Sequence, residues 1–328
     1  MIKSKALISR LLLSLTDNIK RTGDPLGIKA NYWAEWAKEL NLPKAGETLV
    51  FSARMYQMLP YISQTTDLLA LTQGIFSKKV LGDIARKGSS IVGEKAIMWK
   101  ARKEENLKSR GKKVLSGIVK ALSAIGYKPA YLYEDEPYSG ALLYDLGIDE
   151  YLPTYINQVY NLLKEHGVKE VIGVDPHTVY MLKEIYPKYV KNYDLKVQHY
   201  LDILVDRVDE FKKVQKRKLE EKFVIHDSCV MARDLGITEP PRKVLESLGI
   251  KVLEPENTKL NTVCCGGPIE YAFPHMTDKV CRMRTNELAE VSTNIAVACP
   301  ICLLNLSSLE QETGAKVSDI GELLFEAF

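Results

Sequence analysis

Lys222-Phe-Val-Ile-His-Asp-Ser-Cys229 is an apolar run that breaks off in a polar turn and a cysteine. A run of this length between turn residues suits a strand buried on both faces. It has an earlier counterpart, Thr48-Leu-Val-Phe51, and the two runs open two copies of one pattern. In each copy a helical stretch leads to a second strand, Val114–Tyr127 before Pro129–Tyr133 and Pro241–Leu248 before Ile250–Leu253, with Gly126 and Gly249 as helix stops. A turn follows, Glu136-Pro-Tyr-Ser-Gly140 in the first copy and Asn261-Thr-Val-Cys-Cys-Gly-Gly267 in the second. A further helix, Tyr155–Glu165 or Asp278–Val291, precedes a buried strand, Glu170–Val174 or Ile295–Ala298. That strand runs into Asp175-Pro-His-Thr178 in one copy and Cys299-Pro-Ile-Cys302 in the other. Ser139 and Asp175 are 36 positions apart, Cys265 and Cys299 34.

Alternating strands and helices predict an α/β fold of two pseudo-symmetric units, each a parallel sheet flanked by helices, with the site in the loops at the strands' carboxyl ends. The expected division is an N-terminal helical segment over 1–47, a first unit over 48–197, a helical linker over 198–222 and a second unit over 223–328. Within the linker, Gln198–Val208 has a helical pattern, and Phe211–Lys222 is a run of mixed charge expected to be a solvated helix.

Apolar residues make up 46% of the 328 and charged residues 27%, the composition of a globular protein. The 45 basic residues nearly balance 42 acidic ones, which argues against a nucleic-acid binder. Met1–Leu15 is interrupted by Arg10 and reads as an amphipathic helix, and no stretch reaches the roughly 18 uninterrupted apolar residues of a membrane span. Residues 78–113 carry twelve Lys/Arg against four Asp/Glu, either a docking face for an acidic partner or a solvated helical insertion. Six cysteines, none before Cys229, are too few for a disulfide scaffold and point to a reducing compartment. A cytoplasmic location is expected, with membrane association through partners allowed.

Five of the cysteines fall at strand-to-loop junctions of the second unit. Cys229 is separated by 34 residues from Cys264-Cys265-Gly266-Gly267, and Cys265 by 33 from Cys299-Pro-Ile-Cys302. Glycines beside Cys265 let backbone approach a bulky ligand, and Pro300 stiffens the last turn. This pattern suits an iron–sulfur site. A structural zinc site, which takes four ligands, and a Cys299–Cys302 redox pair are the competing readings. Cys281 is assigned to packing, His226 and Asp227 to hydrogen bonding near sulfur, to a proton source or to a structural cap, and His275 to no role.

Together, Cys229, Cys264-Cys265-Gly266 and Cys299-Pro-Ile-Cys302 resemble the cysteine-rich CCG domain of the heterodisulfide reductase B-like proteins. His226-Asp-Ser-Cys229 is similar to that family's His-Asp-Pro-Cys turn, and the duplicated architecture is also the family's. Asp17–Pro25 with Trp33-Ala-Glu-Trp36 resembles the segment that joins a ferredoxin module to the first CCG unit in fused relatives. The resemblance implies one noncubane 4Fe-4S cluster on Cys229, Cys264, Cys265, Cys299 and Cys302, used for thiol/disulfide redox chemistry in sulfur metabolism. It implies as partners a ferredoxin-type iron–sulfur subunit resembling the small one of heterodisulfide reductase, a flavoprotein subunit, and a thiol or disulfide small molecule or carrier. Related CCG proteins serve as electron relays in glycolate, lactate, glycerol-phosphate and succinate oxidoreductases, which is an alternative, and a non-catalytic zinc-binding assembly subunit is another.

The first unit departs from the family pattern. Arg54, Tyr138, Ser139, Asp175 and Thr178 stand where the family places cysteines, so thiolates cannot hold a second cluster there. The expectation is a pocket containing Arg54, Tyr138, Asp175 and His177, either a bare scaffold or a cradle in which Arg54 holds a substrate carboxylate and Tyr138 or His177 donates a proton.

Overall fold

A parallel sheet forms from each repeat. In the computed structural model, which describes residues 13, 15–28, 32–64, 101, 104–267 and 273–328, strands β1 (Thr48–Phe51), β2 (Glu170–Gly173) and β3 (Lys196–His199) lie in the order β1-β2-β3. Strands β4 (Lys222–Ile225), β5 (Lys251–Leu253), β6 (Asn294–Val297) and β7 (Lys316–Asp319) lie in the order β5-β4-β6-β7. Every pairing is parallel. By position in the sheets, β1 matches β4, β2 matches β6 and β3 matches β7, as expected for a duplicated unit.

The strand expected over Pro129–Tyr133, the counterpart of β5, is reduced to a single bridge between Leu49 and Ala130. Ala130 N–H donates to the Thr48 carbonyl at 2.8 Å and its carbonyl accepts from Val50 N–H at 2.9 Å. Ser52 N–H, the next donor along β1, is taken by the Glu136 carboxylate at 2.6 Å, and Tyr133 turns at a φ of +53°, so the pairing does not spread towards the loop. The linker also differs from expectation. Gln198 and His199 complete the edge strand β3, which crosses the boundary expected at 197/198. Two short helices follow, Tyr200–Asp206 and Val208–Val214, and Phe211 is fully buried rather than on a solvated face.

Seven helices matter for the site: α1 (Glu105–Ala124), α2 (Leu152–Glu165), α3 (Pro176–Tyr180), α4 (Glu239–Ser247), α5 (Pro274–Val291), α6 (Pro300–Ser307) and α7 (Ile320–Ala327). Helix α1 begins at Glu105, ahead of the expected Val114; its first turns are charged and carry no apolar periodicity by which sequence would show them. Most of the basic stretch 78–113 and of the N-terminal helix expected over 1–15 lies outside the described residues.

The halves share one continuous apolar core. At the crossing of α1 with α7 a Cβ on Gly117 would sit 2.0 Å from the Gly321 carbonyl oxygen, so only glycine permits this approach. Arg110 of α1 reaches the Glu322 carboxylate of α7 through Nε at 2.9 Å and Nη2 at 2.8 Å. Tyr56, after β1, donates to Asp319 Oδ2 at the end of β7 at 2.7 Å. The carboxyl ends of the two sheets therefore face one another. Among the described residues no helix is long and apolar enough to cross a membrane.

Candidate metal centre

Three loops at the carboxyl ends of β4 and β6 and before α5 bring the cysteines together. Past β4 the chain turns through His226, Asp227 and Ser228 into Cys229, which opens a π-helical turn over Val230–Asp234. The turn is fixed by Asp227, whose carboxylate accepts from Arg242 Nη1 and Nη2 at 2.8 Å each and from Lys259 N–H at 2.7 Å. Arg242 is held in turn by Glu254 through Nε at 2.6 Å and Nη2 at 2.8 Å. Burial alone would raise the Asp227 pKa, but the Arg242 guanidinium outweighs it and holds the carboxyl below its ordinary range.

Gly266, at a φ of +100°, lets the Cys264-Cys265 loop press against α5, where a Cβ would meet the Thr277 carbonyl oxygen at 2.8 Å. Its N–H donates to Cys264 Sγ at 3.3 Å. Cys299 is the N-cap of α6, Pro300 occupies the first turn where its missing N–H costs nothing, and Cys302 follows on the same turn.

The five sulfurs gather in one series. Cys229 Sγ lies 3.9 Å from Cys264 Sγ. Cys265 Sγ and Cys302 Sγ lie within 4.8 Å of each other, and Cys264 and Cys299 are near enough to these two to shift their pKa values. Cys265, Cys299 and Cys302 are buried, whereas Cys229 and Cys264 are half-buried, so the series opens to solvent at one end. Contact with their neighbours' sulfurs pushes Cys229, Cys265 and Cys302 up, and hydrogen bonds from Cys229 and Cys265 pull Cys264 down. Without a cation such a group cannot shed all its protons; a thiophilic metal removes that obstacle.

His226 stands beside this series, with Nε2 3.3 Å from Cys302 Sγ. Its Nδ1 lies 3.1 Å from Arg284 Nε, which is always a donor, so Nδ1 accepts and the neutral ring carries its proton on Nε2, aimed at sulfur. Burial first and the Arg284 charge second push the His226 pKa down to about 3. His226 comes within 4.8 Å of both Cys265 and Cys302, but a protonated Nε2 is a hydrogen-bond donor rather than a metal ligand. Five thiolates with N–H donors directed at two of them exceed the four ligands of a structural zinc and fit an iron–sulfur cluster.

The corresponding loops of the first half hold a different network. Glu136 accepts from Ser52 N–H at 2.6 Å, Ser52 Oγ at 2.7 Å and Tyr131 OH at 3.0 Å. Arg54, at a φ of +64°, donates from Nε to the Glu136 carbonyl at 2.8 Å and pairs through Nη1 with Asp24 at 3.4 Å. Burial pushes Glu136 up to about 7 and Asp24 to about 6, in Asp24's case against the pull of Arg54. Tyr138 OH accepts from Leu142 N–H at 2.9 Å. Asp175 caps α3 by accepting from Thr178 N–H at 3.0 Å, and burial raises it to about 6. Arg54 is thus enclosed and ion-paired, while His177 reaches out of its own half: its Nδ1 lies 3.4 Å from Asp145, and it sits near enough to Cys299 for that sulfur, with Asp145, to favour the protonated ring.

Several residues of the site were not singled out from sequence. Arg284 betrays itself only as a charge on the buried stripe of α5 formed with Thr277, Cys281, Thr285 and Leu288. Asn305 approaches both the Cys265 carbonyl, at 3.4 Å, and its sulfur, at 3.9 Å, and has no sequence signal. Cys281 lies apart from the series and contacts the Asn305 carbonyl at 3.2 Å, and His275 is exposed on the first turn of α5.

Residues 223–307 match the family described as a cysteine-rich domain, CCG. Among curated proteins the chain is 31% identical to an EtfAB:quinone oxidoreductase of Syntrophomonas wolfei over 66% of its own length and 32% of the relative's. It is 26% identical to a probable iron–sulfur-binding oxidoreductase of Bacillus subtilis over 67% of its length and 32% of the relative's. With a subunit of the dihydromethanophenazine:CoB–CoM heterodisulfide reductase of Methanosarcina barkeri the identity is 27%, over 63% of this chain and 53% of that one. The chain therefore spans about a third of the first two relatives and about half of the third.

Proposed function

Because this chain is a heterodisulfide reductase B-like protein with a CCG domain, we propose that it is the iron–sulfur subunit of a heterodisulfide-reductase-like complex. It carries one noncubane four-iron four-sulfur cluster on Cys229, Cys264, Cys265, Cys299 and Cys302, and exchanges electrons with a thiol or disulfide of sulfur metabolism. The observation that carries this reading is the gathering of five cysteines at one sheet edge, buried at the Cys299 end and half-buried at Cys229 and Cys264. When bound, such a cluster supplies one-electron chemistry.

The chain's residues set the conditions for it. The half-buried Cys229–Cys264 edge is where a substrate thiol approaches, since the other three sulfurs are closed off from solvent. His226 Nε2–H and Gly266 N–H donate towards Cys302 and Cys264, which stabilises extra negative charge on those sulfurs. His177, tied to Asp145 and set near Cys299, is the group of the first half that would hold a proton beside sulfur, while Tyr138 and Arg54 serve the first half's own network. A ferredoxin-type iron–sulfur subunit and a flavoprotein pass electrons to and from the site, in the cytoplasm or at a membrane reached through partners.

A second reading is an electron relay in which no thiol reacts. It is favoured by relatives named as a quinone oxidoreductase and as a subunit of a fumarate reductase (CoM/CoB). Electron paramagnetic resonance of the anaerobically oxidised protein separates the two. A signal that changes on addition of thiol supports thiol chemistry, and a thiol-indifferent signal supports relay.

A further inference from the structure

Arg284 is among the largest side chains that are fully buried, and it sits in the middle of α5, where a guanidinium has no reason of stability to be. Its Nη1 pairs with Glu287 at 2.8 Å and its Nη2 reaches Thr262 Oγ1 at 3.4 Å, which leaves the local charge balanced and the head locked in one orientation. Its Nε–H is aimed at His226 Nδ1 at 3.1 Å. The opposite ring nitrogen faces Cys302 Sγ at 3.3 Å.

We propose that Arg284 is a positioning residue that acts through His226 on the cluster ligand Cys302. A neutral imidazole has one proton and two places to carry it. Arg284, a donor with no acceptor to offer, occupies Nδ1 and assigns the proton to Nε2, so the ring always presents N–H to sulfur. A hydrogen bond donated to a ligand sulfur draws electron density from it and favours the reduced cluster. Without Arg284 the ring is free to take the other tautomer, which turns a lone pair towards a thiolate, or to rotate away. Glu287 and Thr262 hold Arg284, Arg284 sets His226, and His226 tunes Cys302.

This rests on the cluster reading above, and the experiment separates the two. The protein, purified anaerobically with whatever subunits accompany it, is titrated with a redox mediator while the cluster signal is followed by electron paramagnetic resonance. Arg284→Met and His226→Leu are each expected to load iron like wild type and to lower the midpoint by about a tenfold change in the reduced-to-oxidised ratio, which is about 59 mV for one electron. The double variant is expected to lower it no further, since both changes remove the same hydrogen bond. Arg284→Lys keeps the charge opposite Glu287 without the Nε donor, and is expected to shift the midpoint as Arg284→Met does. An unchanged midpoint in the Arg284 variants, additive shifts in the double variant, or full rescue by lysine would overturn the proposal while leaving the cluster reading intact. A wild-type protein without iron would overturn both.

Discussion

The two halves of this chain place loops at equivalent positions of equivalent sheets and fill them with opposite chemistry. After β4 and β6 stand sulfurs with N–H groups pointed at them; after β1 and β2 stand carboxyls, hydroxyls and Arg54 satisfying one another. A parallel sheet ends in loops whose backbone is free of the ladder, so the scaffold tolerates either content. What differs is how each is held. The second half gathers five sulfurs that a bound metal would hold as thiolates, whereas the first pairs its charge within itself, with Asp24 opposite Arg54. The cysteine-free half sets His177 beside the other's Cys299.

The largest expected contrast comes from removing one sulfur. Cys302→Ala should bring iron per chain to background, while Cys281→Ala, which deletes a thiol outside the series, should leave the iron content unchanged; metal analysis of the two variants checks this. Iron retained by Cys302→Ala would break the comparison at its root.

Next in size is Arg54→Met. It strands the Asp24 carboxyl in a buried site, and should cost about 3–5 kcal/mol in urea unfolding while the iron content stays that of wild type. Loss of iron together with stability would mean that the halves are less separable in chemistry than their hydrogen bonds suggest.

A smaller effect concerns pH. Glu136 is buried with its pKa raised to about 7, so the folded chain binds that proton more tightly than the unfolded one does. Its contribution to stability is therefore full below about pH 4 and declines as the pH rises towards the folded value near 7, by roughly 3 to 4 kcal/mol in all. Glu136→Gln should flatten that decline, which unfolding at about pH 5.5 and about pH 8 measures. An identical slope in the variant would assign the pH dependence to other buried carboxyls such as Asp319, which burial raises to about 8.

Much of the fold was legible because apolar runs such as Thr48–Phe51 and Lys222–Ile225 and glycine stops such as Gly126 and Gly249 are local signals. The strand at Pro129–Tyr133 misled because pairing depends on amide hydrogens and φ angles that composition does not display. Phe211 was misassigned because a charged neighbourhood hid one core side chain. The convergence of the five cysteines was legible from their place at strand ends. Arg284, Asn305 and the reach of His177 to Cys299 were not, since these contacts join residues tens of positions apart whose partners only the packed sheets define.

The central claim is one iron–sulfur site in two like halves, and iron and acid-labile sulfide counted per chain after anaerobic purification test it most directly. About four of each per chain is the predicted result, all of it lost in Cys302→Ala. About twice that amount, or one zinc per chain with no iron, would contradict it.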